Sequence, residues 1–197
     1  MSLPTLYLCR HGQTDWNAEG RIQGQRDIPL NDLGRTQAAR NGRYLKETLG
    51  DAAASFRYVA SPLGRTQETM RILRREIGLD PADFELDPRL VELHFGDWQG
   101  WTLRELKERD SAGIAARRRD KWNFLPPGDG AESYERLATR VRPVFESLDG
   151  PTIMVAHGGV SRAFLRLYCG VSPADAAQAG IEQDRILTLD EGRAAWV

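Results

Sequence analysis

Cysteine is scarce: only Cys9 and Cys169 occur in 197 residues. That excludes a disulfide-dense secreted scaffold. The two form no Cys-x-x-Cys pair, and with only three histidines a structural zinc site is not expected. No sign of charge dominates, since 27 Lys plus Arg face 28 Asp plus Glu for a net charge of −1. Such a balance argues against a chain whose main business is coating nucleic acid or an anionic membrane. No apolar run approaches the ~20 residues needed to span a bilayer. The N-terminus carries neither a basic region nor the apolar stretch of a signal peptide, so a cytoplasmic location is expected. What is present is ordinary globular material, 41% hydrophobic and 28% charged. A chain this long buries a sizeable core without disulfides or metal. One domain over residues 1–197 is expected, with a small cap around 100–130.

Short β-type runs alternate with amphipathic helical ones. Thr5–Cys9 reads as a strand stopping at Arg10-His11-Gly12, and Phe56–Ala60 as a second, closed by Ser61-Pro62. Between them Ala38, Gly42, Leu45 and Leu49 recur at helical spacing, and Met70, Leu73 and Ile77 mark another helix. Ser133–Leu148 carries an apolar face, with Ser133 as its N-cap and Pro143 predicting a kink. Thr152–Ala156 is a buried-type strand ending at His157-Gly158-Gly159, with Val160, Phe164 and Leu167 opening a further helix. Ile186–Leu189 and Ala194–Val197 look like late strands. The alternation predicts an α/β fold in three layers, a mixed but mostly parallel sheet between helices. Residues 110–130 read as a helix tip and an irregular excursion. Trp98, Trp101 and Trp122 are candidates for a hydrophobic cap, and Cys9 for a small buried hydrophobe.

Two of the three histidines, His11 and His157, each follow a strand and precede glycine. Ligands of open α/β sheets bind outside the carboxyl ends of strands. Glycine there lets the backbone turn sharply and brings N–H groups close to an oxyanion. Arg10 directly follows an apolar strand, an expensive place for a charge unless it meets an anion. Arg65 repeats the arrangement after the second strand. Two arginines and two histidines at one sheet edge would make a pocket for a dense anion, because guanidinium forks match phosphate oxygens.

Leu8-Cys9-Arg10-His11-Gly12-Gln13-Thr14 with Trp16-Asn17 resembles the signature of the histidine phosphatase superfamily, branch one, the phosphoglycerate-mutase-like family. The likeness continues through Gly20–Gly24, Asp27–Leu30, the arginine motif Ser61–Thr66, the acid-bearing loop Glu92–Gly100 and Val155–Gly159. The motifs stand in the family's order. The resemblance implies the mixed three-layer sheet and a two-step phosphoryl transfer through phosphohistidine. His11 would be the nucleophile, with Arg10, Arg65 and His157 stabilising the phosphoryl oxygens and Glu92 as general acid and base. Asn17, Gln23, Gly24 and the Gly158 N–H match positions that line the phosphate and substrate site. No metal and no cofactor are expected. His94 is given no role. Ala131 stands where the family often has glycine, which puts the local turn in doubt.

The resulting expectation is a phosphatase acting on a small phosphorylated metabolite, with no nucleic-acid or membrane partner; a homodimer is compatible with the sequence. A cofactor-dependent phosphoglycerate mutase is the alternative, since Arg118 and Arg119 imitate a paired-arginine specificity element. Against it, the stretch to His157 is short, and Pro126–Gly130 suggests an open lip that admits water. A catalytically idle module that binds phosphorylated ligands is the alternative of another class.

Overall fold

A computed structural model describes residues 3–197. Its six strands are β1 (Leu6–Arg10), β2 (Arg57–Ala60), β3 (Glu85–Leu86), β4 (Thr152–Ala156), β5 (Ile186–Asp190) and β6 (Arg193–Trp196). They form one sheet in the order β3-β2-β4-β1-β5-β6. The first four are parallel, β5 runs antiparallel to β1, and β6 runs antiparallel to β5. The mixed, mostly parallel sheet is therefore as expected. The two-residue edge strand β3 has too little pattern to be legible in sequence.

Alternation along the strands divides the core into two layers. Leu6, Leu8, Met154, Ala156, Leu187 and Leu189 face one side, while Cys9, Ile153, Val155 and Ile186 face the other. The first side is covered by α6 (Tyr134–Glu146), α7 (Gly158–Tyr168) and α8 (Pro173–Gln178). The second is covered by α2 (Asp32–Leu49) and α3 (Gly64–Ile77), which bury Leu45, Met70, Leu73 and Ile77. Each large aliphatic or aromatic side chain so buried contributes about 1.5–3 kcal/mol.

Local chemistry sets where the helices begin and end. Asn31 caps α2 by accepting from the Gly34 N–H at 2.9 Å, and Gly50 at φ +53° ends it. Ser133 caps α6 by accepting from the Arg136 N–H at 3.3 Å, as expected. Pro143 falls in the last turn of α6, where the helix runs on to Glu146.

Residues 103–119 are more regular than expected. They form α4 (Leu103–Arg109), opened by a Thr102–Glu105 capping box, and α5 (Ser111–Arg119), capped by Asp110. Trp98 and Trp101 do join Leu106, Ile114, Ile22 and Phe124 in a small apolar cluster beneath these helices. Trp122 does not: it belongs to the main core and stacks on Tyr134, 5.7 Å between ring centres. The Pro126–Gly130 lip is irregular, and it is tied to the acid-bearing loop where the Pro127 carbonyl accepts from the Asp97 N–H at 2.8 Å. Gly128 and Gly130 supply the left-handed positions, at φ +101° and +72°, so Ala131 needs no such conformation. No helix of the described residues is long and apolar enough to cross a membrane.

Candidate active site

Three neighbouring parallel strands deliver the site. The register pairs Arg10 with Ala156 and Ala60 with Val155, so β2, β4 and β1 end at nearly one level. The chain leaves them at Ser61, His157 and His11. The His11 N–H still donates to the Ala156 carbonyl at 3.0 Å, and the Ser61 N–H to Val155 at 3.1 Å. The histidine backbones are thus held by the end of the ladder while their side chains clear it.

Arg65, in the first turn of α3, joins the histidines. Its Nε donates to His11 Nε2 at 3.2 Å and one Nη to His157 Nδ1 at 3.3 Å. The remaining N–H groups reach the carbonyls of Gly24 at 2.8 Å and Arg26 at 2.7 Å, with Asp27 at 3.7 Å. The guanidinium is wholly buried and fully partnered. Gly24, at φ +54°, presents its carbonyl from a loop lying so close to the Gln99 side chain that a methyl there would overlap it.

The tautomers follow from the partners. His11 Nδ1 lies 2.8 Å from the Gly12 carbonyl, which only accepts, so Nδ1 carries the proton and the Nε2 lone pair is free of one. His157 accepts from Arg65 at Nδ1, so its Nε2–H donates to Ser61 Oγ at 2.8 Å. The rings meet edge to face, 5.2 Å apart. Burial first, then the charges of Arg65 and Arg10, push the His11 pKa well below its ordinary 6.5, against a smaller opposing contribution from the Gly12 carbonyl. His157 is pushed down likewise, by burial, Arg65, His11 and Arg10 in that order.

The sign of the resulting pH dependence is fixed. Below about pH 6.5 the unfolded chain protonates both imidazoles while the folded chain does not, so stability falls as pH drops from 6.5 toward the depressed folded values. The limiting slope is about 1.4 kcal/mol per pH unit for each histidine. Urea midpoints should therefore decline between pH 7 and pH 5, with about half the slope in His157→Gln. Midpoints flat over that range would contradict the neutral assignment.

Arg10 completes the cluster. One Nη donates to the Ile181 carbonyl at 2.8 Å, while Nε is buried and donates to nothing among the described residues. Burial lowers this guanidinium to about 10, with Arg162 and Arg65 adding repulsion against the attraction of Glu92 and Glu182. Gln23 Oε1 is likewise buried without a partner.

Glu92 reaches the N-terminus of α7. Its Oε1 accepts from the N–H groups of Leu93 at 2.8 Å and Gly159 at 3.1 Å. A methyl on Gly159 would overlap this carboxylate, and one on Gly12 would overlap the Gly34 backbone at the start of α2. Neither glycine has a positive φ. They are needed for close approach, not for the sharp turn expected from sequence.

Asn17 lies in α1 (Asp15–Ala18), where its Oδ1 accepts from Thr14 at 3.2 Å and from Gln183 Nε2 at 2.9 Å. Gly158 opens α7 beside Arg10. Arg118 and Arg119 are not brought to the cluster: both are exposed and line a surface groove with Ser172, Pro173 and Asp175. His94 is absorbed by its own loop, accepting at Nδ1 from the Gly96 N–H at 3.1 Å. Ser61, Thr69, Arg162 and Gln183 had no assigned role in the sequence. Ser61 alone carried a signal, its place at a strand end beside the arginine motif. Thr69 is visible only once α3 packs on the loop after β1, where its Oγ1 accepts from the Gly12 N–H at 3.1 Å.

Known proteins resemble this chain in sequence and fold. The family model of the histidine phosphatase superfamily (branch 1) matches residues 6–197. The glucosyl-3-phosphoglycerate phosphatase of Mycobacterium tuberculosis is 36% identical over 186 residues, covering 86% of this chain and 78% of that one. A 2,3-bisphosphoglycerate-dependent phosphoglycerate mutase of Staphylococcus haemolyticus is 30% identical over 203 residues, 88% of each chain. The solved structure of a mycobacterial glucosyl-3-phosphoglycerate phosphatase complexed with VO3 superposes with a TM-score of 0.80 at 31% identity, covering 98% of this chain and 96% of that one. With its whole sheet and both histidine-bearing strand ends inside the matched region, the chain belongs to branch 1 of the histidine phosphatase superfamily.

Proposed function

We propose that the chain is a metal-independent phosphatase that hydrolyses small phosphate monoesters through a phosphohistidine on His11. The observation that carries this reading is the buried, unpartnered Nε of Arg10 beside two neutral imidazoles and Arg65. Buried donors and cations converging on one place, with an Arg10 N–H left unpartnered, suit a phosphoryl group, whose oxygens accept from several N–H groups at once. A neutral imidazole with an unprotonated Nε2 suits in-line attack on phosphorus. As the P–O bond breaks, the Glu92 carboxyl would give its proton to the leaving oxygen; the carboxylate would then take a proton from the water that cleaves the N–P bond. Arg10, Arg65, His157 and the Gly158 N–H would hold the oxygens, with Asn17, Gln23 and Gly24 around them. The whole chain would act as one domain, with residues 100–130 as its cap.

Hydrolysis rather than a mutase reaction is supported by the phosphatase relative, which is the more similar of the two, and not by the lip, which is pinned to the acid loop. Arg118 and Arg119 lie exposed on a surface groove, so the feature that favoured the mutase lends it no support here.

Released phosphate from p-nitrophenyl phosphate tests the reading. Activity is expected to survive exhaustive EDTA treatment, because arginines and histidines supply the charge that a metal would otherwise bring. Loss on chelation, restored by magnesium or zinc, would overturn the metal-independent scheme.

A further inference from the structure

The loop between α8 and β5 holds two residues of the phosphoryl site. Its Ile181 carbonyl accepts from Arg10 Nη1 at 2.8 Å, and two residues on Gln183 Nε2 donates to Asn17 Oδ1 at 2.9 Å. The loop is itself anchored on α2: Asn41 Nδ2 donates to the Gln183 carbonyl at 3.2 Å, and Arg40 pairs with Asp184 at 2.9 Å. Asn41 and Gln183 are both buried. A buried amide 166 residues along the chain from Asn17 thus reaches across to the turn that follows β1.

The oxygen end of the Asn17 amide is filled. Oδ1 accepts from the Thr14 N–H at 3.2 Å, from Thr14 Oγ1 at 3.2 Å and from Gln183. A backbone N–H only donates, so the atom facing it is the oxygen, and Nδ2 lies at the other corner of the amide. Among the described residues Asn17 Nδ2 donates to nothing. Thr14 sets which corner is oxygen, but Thr14 and Asn17 belong to one capped turn and would rotate together. Gln183 ties that amide to a separate part of the fold, and its Nε2 has no other acceptor among the described residues.

We infer that Gln183 is a positioning residue of the phosphoryl site: by holding Asn17 Oδ1, it directs the Asn17 Nδ2–H groups to donate to a phosphoryl oxygen. The same loop carries the Ile181 carbonyl that orients Arg10, so both donors are set against one frame. This rests on the phosphatase reading above and adds to it a residue outside the strand-end motifs. Gln183 acts through Asn17 and touches no reacting atom.

Binding of inorganic phosphate, followed by calorimetry, is the decisive readout. Asn17→Ala should weaken it about five-fold, as the loss of one hydrogen bond does. Gln183→Met keeps the length of the side chain and removes the donor. Alone it should weaken phosphate by about two- to five-fold, and in the Asn17→Ala background by nothing further, because its effect passes through Asn17. A residue that merely held the loop in place would add its own loss to that of Asn17→Ala. In the unsubstituted chain, the side-chain amide resonances of Asn17 should move when phosphate is added, which needs no variant to fold. Additive losses, full phosphate affinity in either folded single variant, or Asn17 amide resonances that stay put would overturn the inference. Hydrolysis of p-nitrophenyl phosphate by the unsubstituted chain separately tests the phosphatase reading, because phosphate binding needs no turnover.

Discussion

His11→Ala should lower turnover of every phosphate monoester by at least about 10⁴-fold, the scale expected when a covalent nucleophile is removed. The buried ring is fixed at Nδ1 by the Gly12 carbonyl, so the reactive lone pair belongs to Nε2, beside Arg65. Burial and two arginines hold the imidazole neutral far below pH 7, so nucleophile need not be generated by a base. Rapid quenching with labelled substrate should trap a phosphoenzyme that is acid-labile and stable to alkali. Arg10, Arg65 and His157 remain in the variant, so substrate affinity should fall far less than turnover. Label trapped at the wild-type yield in His11→Ala would move the nucleophile to another residue.

Glu92→Gln should produce a loss that depends on the leaving group. The amide oxygen can still accept from Leu93 and Gly159, as Oε1 does now, so the loop and the start of α7 should keep their geometry. What the amide cannot do is give or take the catalytic proton. For an alkyl phosphate such as glycerol phosphate the drop should reach about 10²–10⁴-fold, the usual contribution of general acid–base catalysis. p-Nitrophenyl phosphate, whose leaving group needs little protonation, should lose much less in the phosphorylation step. Single-turnover measurements on both substrates separate that step from hydrolysis of the phosphoenzyme. A small and equal loss on both would point to Asp97. Glu132 is less suited, because it is committed to Arg140 through contacts of 2.8 and 2.7 Å and accepts the His94 N–H.

The succession of strands and helices along the chain was legible because both are written in local periodicity. Leu6, Leu8 and Cys9 alternate across β1, and Met70, Leu73 and Ile77 recur once per turn on α3, whatever lies elsewhere. The strand-end positions of His11, His157 and Ser61 follow from the same local patterns. The motifs around Arg10, Arg65, Glu92 and His157 added the family through their order.

Tertiary structure alone decided what those residues touch. The register of β1, β4 and β2 sets the three strand ends level, and no local pattern encodes pairing between segments as distant in the chain as Arg57 and Thr152 or Leu6 and Thr152. The glycines after the histidines looked like turn-formers, yet their reason is contact: Gly159 makes room for Glu92, and Gly12 for the start of α2. The run Arg117–Arg119 offered three equal cations. A helix advances about 100° per residue, so consecutive side chains cannot share a direction. Only the packing of α5 on α4, with Ile114 in the cluster beneath them, left Arg117 half-buried and Arg118 and Arg119 in solvent.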